Sequence, residues 1–306
     1  MPPPRGTNNV LEGPGDMDDL PLSFISWAAP ASDYDVTSKV HSDTYPEISP
    51  LTIPATEKSV FVVGASRGIG LAIAISFAQS GASQIALGAR SNLSAVKEAV
   101  LSAAEKANRP APKVICVNID ITSESSVQDD ASAVEKEFGN LDILLINSGV
   151  IGSMKRIVDS NSDEWWETWM VNVRGGDKTI ITTSSVGAHL TGDGLSDYQM
   201  TKTAQIRLMD FVSVEYGDQG IVSYYIHPGN VPTDMIGGSE GIEKFGLTEV
   251  FTETPELAGD TLVFLTREKR SWLTGRYVNV MWDMPELMGK KDYIVKGNKL
   301  KVKLDF

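Results

Sequence analysis

The sequence predicts an α/β fold, a doubly wound parallel sheet in a single domain. Three observations carry that expectation. From Lys58 onward, short β-branched runs alternate with segments of helical period. The first run ends in a glycine turn, Gly64-Ala-Ser-Arg-Gly68-Ile-Gly70, placed where a strand would meet a helix. The chain has 306 residues, 42% apolar and 22% charged, which suits one large core and argues against global disorder.

The elements follow in order. Ser59 to Val63 is a short apolar run suited to a strand buried on both faces. Gly68 to Gln79 is helical, with Ile69, Ala72, Ile73 and Phe77 at helical spacing. Gln84 to Gly88 is a second strand, Leu93 to Asn108 a second helix and Lys113 to Ile119 a third strand. Ser126 to Phe138 is a helix and Leu141 to Ile146 a fourth strand. Thr179 to Thr183, Ile221 to Ile226 and Tyr277 to Met281 complete the strands, with helices at Tyr198 to Tyr216 and Glu256 to Leu265. Strands separated by helices pair in parallel through right-handed crossovers.

The ends differ from this body. Residues 1–56, rich in Pro, Gly, Asp and Ser, read as an N-terminal extension, disordered or loosely docked, with Phe24 and Trp27 as its anchors; residues 57–306 read as the domain proper. At the other end Lys299, Lys301 and Lys303 alternate with Leu300, Val302 and Leu304, the pattern of an edge strand guarded by lysines or of a solvated end.

Charge and composition exclude several partners. A net charge of −13 disfavours nucleic acid and anionic membranes, which select for basic surface. No segment is apolar enough for a signal peptide or a membrane span, so the expected address is cytoplasmic. Cys116 is the single cysteine; it fits a reducing compartment and reads as a small core residue. His41, His189 and His227 are scattered, so no metal site is expected.

The residues that carry chemistry come in a telling order. In the glycine turn, Gly64 allows the tight bend, Gly68 lets the backbone approach a pyrophosphate, and Gly70 allows close packing. The helix that follows offers free N–H groups to phosphate. The second strand ends at Ala89-Arg90, with no carboxylate to bind a ribose 2′-hydroxyl. Arg67 and Arg90 instead suit a 2′-phosphate, which favours NADP(H) as the cofactor. Tyr198 and Lys202 stand at i and i+4, on one helix face. A tyrosine has an ordinary pKa of about 10, and a neighbouring ammonium together with a bound nicotinamide cation would lower it. Ser185 follows a strand, where its hydroxyl can bond a substrate carbonyl. Tyr-x-x-x-Lys occurs by chance in many proteins; the serine upstream and the glycine turn give it weight.

With these residues the chain resembles the short-chain dehydrogenase/reductase family over about residues 58 to 285. Gly64, Gly68 and Gly70 are similar to the family's cofactor turn, which brings Ser66, Arg67 and Ile69 to the cofactor as well. Asp120 matches the acid that contacts the adenine amine. Asn147-Ser148-Gly149 is similar to the Asn-Ala-Gly motif after the fourth strand. Asn172, preceded by Trp165, matches the catalytic asparagine, and Ser185, Tyr198 and Lys202 complete a tetrad. Pro228-Gly229 and Thr233 match the motif whose threonine holds the nicotinamide carboxamide. The resemblance implies a Rossmann-like fold and hydride transfer between nicotinamide C4 and a carbinol carbon. Tyr198 would exchange the hydroxyl proton, Lys202 hold the ribose, Ser185 polarise the carbonyl and Asn172 hold a relay water. Tyr45 to Pro50 and the tail look like fungal members of secondary-metabolite pathways.

One departure stands out. Only twelve residues, Val173 to Ser184, separate Asn172 from Ser185, where the family has a full helix before the fifth strand. An eighteen-residue helix spans roughly 27 Å; Arg174 to Lys178 would reach about 18 Å fully extended. That helix is therefore expected to be missing, through a skipped exon or a mistaken gene model joined near Gly175-Gly176. In the family it forms the main dimer contact together with the helix bearing Tyr198, so a family-like homo-oligomer is not expected. The resemblance also makes residues 235–255 a substrate lid. Ile236, Ile242, Phe245, Leu247 and Phe251 supply apolar surface, while Glu240, Glu243, Glu249 and Glu253 disfavour a strongly anionic substrate. The expected function is an NADP(H)-dependent oxidoreductase for a bulky, largely apolar ketone or secondary alcohol. The alternative is a non-catalytic NADPH-binding or defective shortened isoform.

Overall fold

The computed structural model describes residues 36–149, 179–191, 194–244 and 246–302. Seven strands form one parallel sheet: β1 (Ser59–Val63), β2 (Gln84–Gly88), β3 (Lys113–Val117), β4 (Ile143–Ile146), β5 (Thr179–Thr183), β6 (Val222–His227) and β7 (Tyr277–Asn279). Their order is β3-β2-β1-β4-β5-β6-β7. The chain winds outward from β1 in one direction, then returns to β1's other side to begin again at β4. That reversal opens a crevice at the C-terminal ends of β1 and β4, where open α/β sheets bind their ligands. The register brings those ends level: Val63 pairs with Gly88 on one side and Ile146 on the other. The expectation of a Rossmann-like doubly wound sheet is met.

Burial explains the strands. All five residues of β1 and all six of β6 are buried, as strands covered on both faces require. Helix α1 (Gly68–Gln79) buries Ala72, Ile73, Ala74, Phe77 and Ala78. It shares an extensive contact with α6 (Pro255–Thr266), whose residues Leu257 to Leu265 are all buried. Helices α2 (Ser94–Lys106) and α3 (Glu124–Phe138) follow β2 and β3. Helix α3 begins two residues before the expected start because Ser123 caps it, its hydroxyl accepting from Ser126 N. Helix α4 (Ser196–Tyr216) lies against β6, where Ser223 Oγ donates to Met209 O at 3.0 Å.

At the sheet's edges one local expectation fails and one of two alternatives drops out. Cys116 is exposed rather than a core residue, because β3 is the outermost strand. At the other edge β7 is three residues long, and residues 299–302 are not a strand. They still cover that edge through one backbone bond, Tyr277 N to Leu300 O at 2.8 Å, and through Arg276, whose guanidinium donates to Lys299 O. Part of the segment read as an extension packs on the body: Tyr45 and Ile48 belong to the main core. Phe24 and Trp27 lie outside the described residues, as do Trp165, Asn172 and the short connection Arg174 to Lys178.

Candidate active site

The crevice is a cleft of about 560 Å³. Its floor begins with the glycine turn between β1 and α1. A Cβ on Gly70 would sit 2.0 Å from Gly64 O, and one on Gly64 would sit 2.7 Å from Ser148 N. Only glycine fits either position, so this turn holds the backbone of β1, α1 and the loop after β4 in direct contact. Asn147, in that loop, accepts from Thr183 Oγ1 at 3.2 Å and so bridges β4 to β5. Ser66, Arg67, Gly68 and Ile69 line the cleft where α1 starts, and free N–H groups at a helix start suit a pyrophosphate.

The far end of the cleft is lined by Arg90 and Asp120. Asp120 Oδ1 accepts from the backbone N (2.9 Å) and the hydroxyl (2.8 Å) of Thr122. Those bonds hold its carboxyl below the usual range. Arg67, expected to serve the same end, points elsewhere. Its guanidinium bonds Asp234 at 2.9 Å, across the cleft mouth and next to Thr233. Thr233 lies opposite the glycine turn, its Cγ2 being 3.4 Å from where a Gly68 Cβ would stand.

Ser185, Tyr198 and Lys202 meet on the opposite wall. Ser185 caps a short 3-10 turn, Val186–His189, its hydroxyl accepting from Gly187 N at 3.0 Å, and it lines the cleft beside Tyr198. Lys202, one turn further along α4, is only 2% exposed; its Nζ donates to Thr183 O at 2.9 Å and lies 5.6 Å from the Tyr198 ring centre. Burial pushes the Lys202 ammonium down to about 7. Burial also pushes the Tyr198 phenol up, against the smaller opposing pull of the Ser185 hydroxyl. From the protein's own groups, desolvation is the larger effect on the phenol.

Several lining residues went unnoticed in the sequence. Thr183 and Ser184 fix Lys202: Thr183 O receives its Nζ, and Ser184 Oγ donates to Lys202 O at 3.0 Å. Their position directly before Ser185 was the available signal. His227 lines the back of the cleft, and burial together with His189 takes its imidazole down to about 3, so it is neutral. Glu253, expected on an acidic lid, is instead buried and accepts from Asn230 N at 2.9 Å. Ile236, Phe251, Met235 and Leu195 supply the cleft's apolar side. Phe245 lies outside the described residues. Among the described residues no group of three or more His, Cys, Asp or Glu could hold a metal, and no helix is long and apolar enough to cross a membrane.

A nucleotide-sized cleft at the switch point, with a serine, a tyrosine and a buried lysine on one wall, defines a dinucleotide-dependent dehydrogenase. Comparison with known proteins agrees. Residues 58–176 match the short chain dehydrogenase family model, and residues 174–281 the model described as enoyl-(acyl carrier protein) reductase. The chain belongs to the short-chain dehydrogenase/reductase family of oxidoreductases. It is 44% identical over 318 residues to the short chain dehydrogenase pigC of Monascus ruber, covering 99% of both chains. With citE, also of Monascus ruber, it shares 43% identity over 90% of this chain and 98% of the relative. A Serratia marcescens short-chain dehydrogenase/reductase superposes with TM-score 0.64 at 27% identity, over 74% of this chain and 97% of that one. A Burkholderia cenocepacia short chain dehydrogenase in complex with NADP gives 0.61 at 25% identity, over 72% and 95%. The span aligned with pigC exceeds the whole chain (318 against 306), so that relative has residues with no counterpart here.

Proposed function

We propose that this chain is an NADP(H)-dependent oxidoreductase that interconverts a ketone and a secondary alcohol on a bulky, largely apolar substrate, in fungal secondary-metabolite biosynthesis in the cytoplasm. The observation that carries the reading is the placing of Ser185, Tyr198 and buried Lys202 together on one wall of the cleft that the glycine turn opens, with Lys202 Nζ 5.6 Å from the Tyr198 ring centre. The glycine turn, packed closely at Gly64 and Gly70, leaves Ser66 to Ile69 lining the cleft, which fits a dinucleotide, and Arg90, with no carboxylate at the end of its own strand, favours a 2′-phosphate. The NADP complex of the Burkholderia relative is consistent with that preference.

A bound nicotinamide dinucleotide would supply or accept a hydride at its ring C4. Ser185 would donate to the substrate oxygen and hold the carbonyl carbon toward the ring. Tyr198 O–H would give its proton to that oxygen during reduction and take it back during oxidation. Lys202, held by Thr183 O, would meet the ribose hydroxyls and stabilise the phenolate that forms. Ile236, Phe251 and Leu195 would bury the apolar body of the substrate and exclude water.

Replacing Tyr198 by Phe tests this. Loss of NADPH-dependent ketone reduction with cofactor affinity retained is expected; unchanged turnover defeats the assignment. A second reading, cofactor binding without turnover, is favoured by the twelve-residue spacing between Asn172 and Ser185 and by the longer span of the pigC alignment. NADPH titration with no reduction of any ketone in a broad panel would select it. Inserting a helix-length segment after Gly175 would then restore activity.

A further inference from the structure

Residues 36–56 run as a strap from the C-terminal segment to β1. The backbone N of Ser38 donates to both carboxylate oxygens of Glu286 (2.9 and 2.8 Å) in α7 (Met284–Gly289). Val40 forms an antiparallel bridge with Trp282, and His41 N donates to Met281 O at 2.7 Å. Met284 N donates to the Tyr45 hydroxyl at 2.8 Å. Thr44 Oγ1 donates to buried Asp260 of α6, which also accepts from Ser76 Oγ of α1 at 2.7 Å.

Two further bonds reach the segment over the cleft. That segment includes α5 (Gly238–Lys244), and its Ile242 and Leu247 form with Leu195, at the start of α4, a small apolar cluster separate from the main core. Thr254 ends the segment, between the cleft-lining Phe251 and Pro255. Its N donates to Ser42 O at 2.9 Å and its hydroxyl to Asp43 Oδ1 at 2.7 Å. A threonine in this position ordinarily caps the helix by accepting from a first-turn N–H. Thr254 makes no such bond to α6; its hydroxyl is given to the strap. The adjoining Glu253 is locked to Asn230, N to Oε2 at 2.9 Å in one direction and N to O at 3.4 Å in the other. Asn230 lies in the cleft-lining loop that ends at Thr233. One continuous run of bonds therefore links the strap, Thr254, Glu253 and the Thr233 loop.

We propose that the strap is a positioning element for the cleft: Ser42 and Asp43 pin the C-terminal end of the lid against the Thr233 loop and so set how tightly the lid closes over bound dinucleotide. A strap that only covered core would need Tyr45 and Ile48, but not a threonine hydroxyl withdrawn from its helix. The inference rests on the reading of this cleft as an NADP(H) site, and its test separates the two.

Hydrogen exchange on the ligand-free full chain would compare the wild type with Thr254→Val and Asp43→Ala. Peptides within 236–253 should exchange several-fold faster in both variants, with β1 and β4 unchanged. NADPH titration by fluorescence should show affinity weakened about three- to tenfold, as expected for loss of one solvent-exposed hydrogen bond from the closed state. Lid exchange equal to the wild type, exchange raised evenly across the sheet, or a loosened lid with unchanged NADPH affinity would each overturn the proposal. A wild type that binds no NADPH would defeat the cofactor reading instead, while the lid exchange still decides whether the strap pins the lid.

Discussion

Replacing Lys202 by Met should stabilise the ligand-free protein, and by an amount that shrinks as pH rises. Lys202 is 2% exposed and its ammonium is held down to about 7 from an ordinary 10.5. The sign follows from proton counts. Below about pH 7 both folded and unfolded chains hold the proton, and the folded state carries the whole penalty of burying it. Between about 7 and 10.5 the unfolded chain holds a proton that the folded chain has lost, so wild-type stability climbs with pH. Above 10.5 both are neutral and the penalty is gone. The drop from 10.5 to about 7 corresponds to a full penalty on the order of 5 kcal/mol. Moving from about pH 7.5 to 9.5 should relieve about 2 to 3 kcal/mol of it. Methionine fills similar space and carries no charge, so its stability lacks this component. Urea unfolding of both proteins at the two pH values gives the answer by difference, which cancels every other titrating group. The gap should narrow by that amount. An equal gap at both pH values would refute the assignment of a buried, depressed Lys202.

Other outcomes follow from single contacts. Gly70→Ala would drive a methyl to within 2.0 Å of Gly64 O, so the turn must open; NADPH binding should be lost and the melting temperature lowered by several degrees. Arg90→Ala should weaken NADPH binding by about 1 to 2 kcal/mol and leave NADH binding nearly unchanged, read by parallel titrations; equal losses for both would remove Arg90 from 2′-phosphate recognition. Arg109 donates to Gln79 O (3.0 Å), Pro50 O (3.3 Å) and Ile53 O (2.6 Å), so Arg109→Ala should cost about 2 to 3 kcal/mol of stability in urea.

The elements legible in sequence were those with strong local cause. Runs such as Ser59–Val63 have no polar residue to hide after the first, so strand and burial are one statement. The glycine turn was legible because each glycine answers a separate steric demand, and Gly70 meets one that no other residue can. The Tyr198–Lys202 pair was legible because a helix fixes which residues share a face. Cys116 was misread because its run is as apolar as its neighbours, and only the strand order puts β3 at the edge. Glu253 was misread because its charge reads as solvated until Asn230 N is brought against it.

The sequence by itself determined the α/β alternation, the glycine turn and the pairing of Tyr198 with Lys202 on one helix face, because each depends on residues within a few positions of one another. Tertiary structure alone decided which of them meet. It set Arg67 against Asp234, 167 residues away, rather than at the adenosine end, and pinned Thr254 to Asp43, 211 residues away. It also set the protonation of Lys202, because desolvation depends on everything packed around a group and not on its neighbours in the chain.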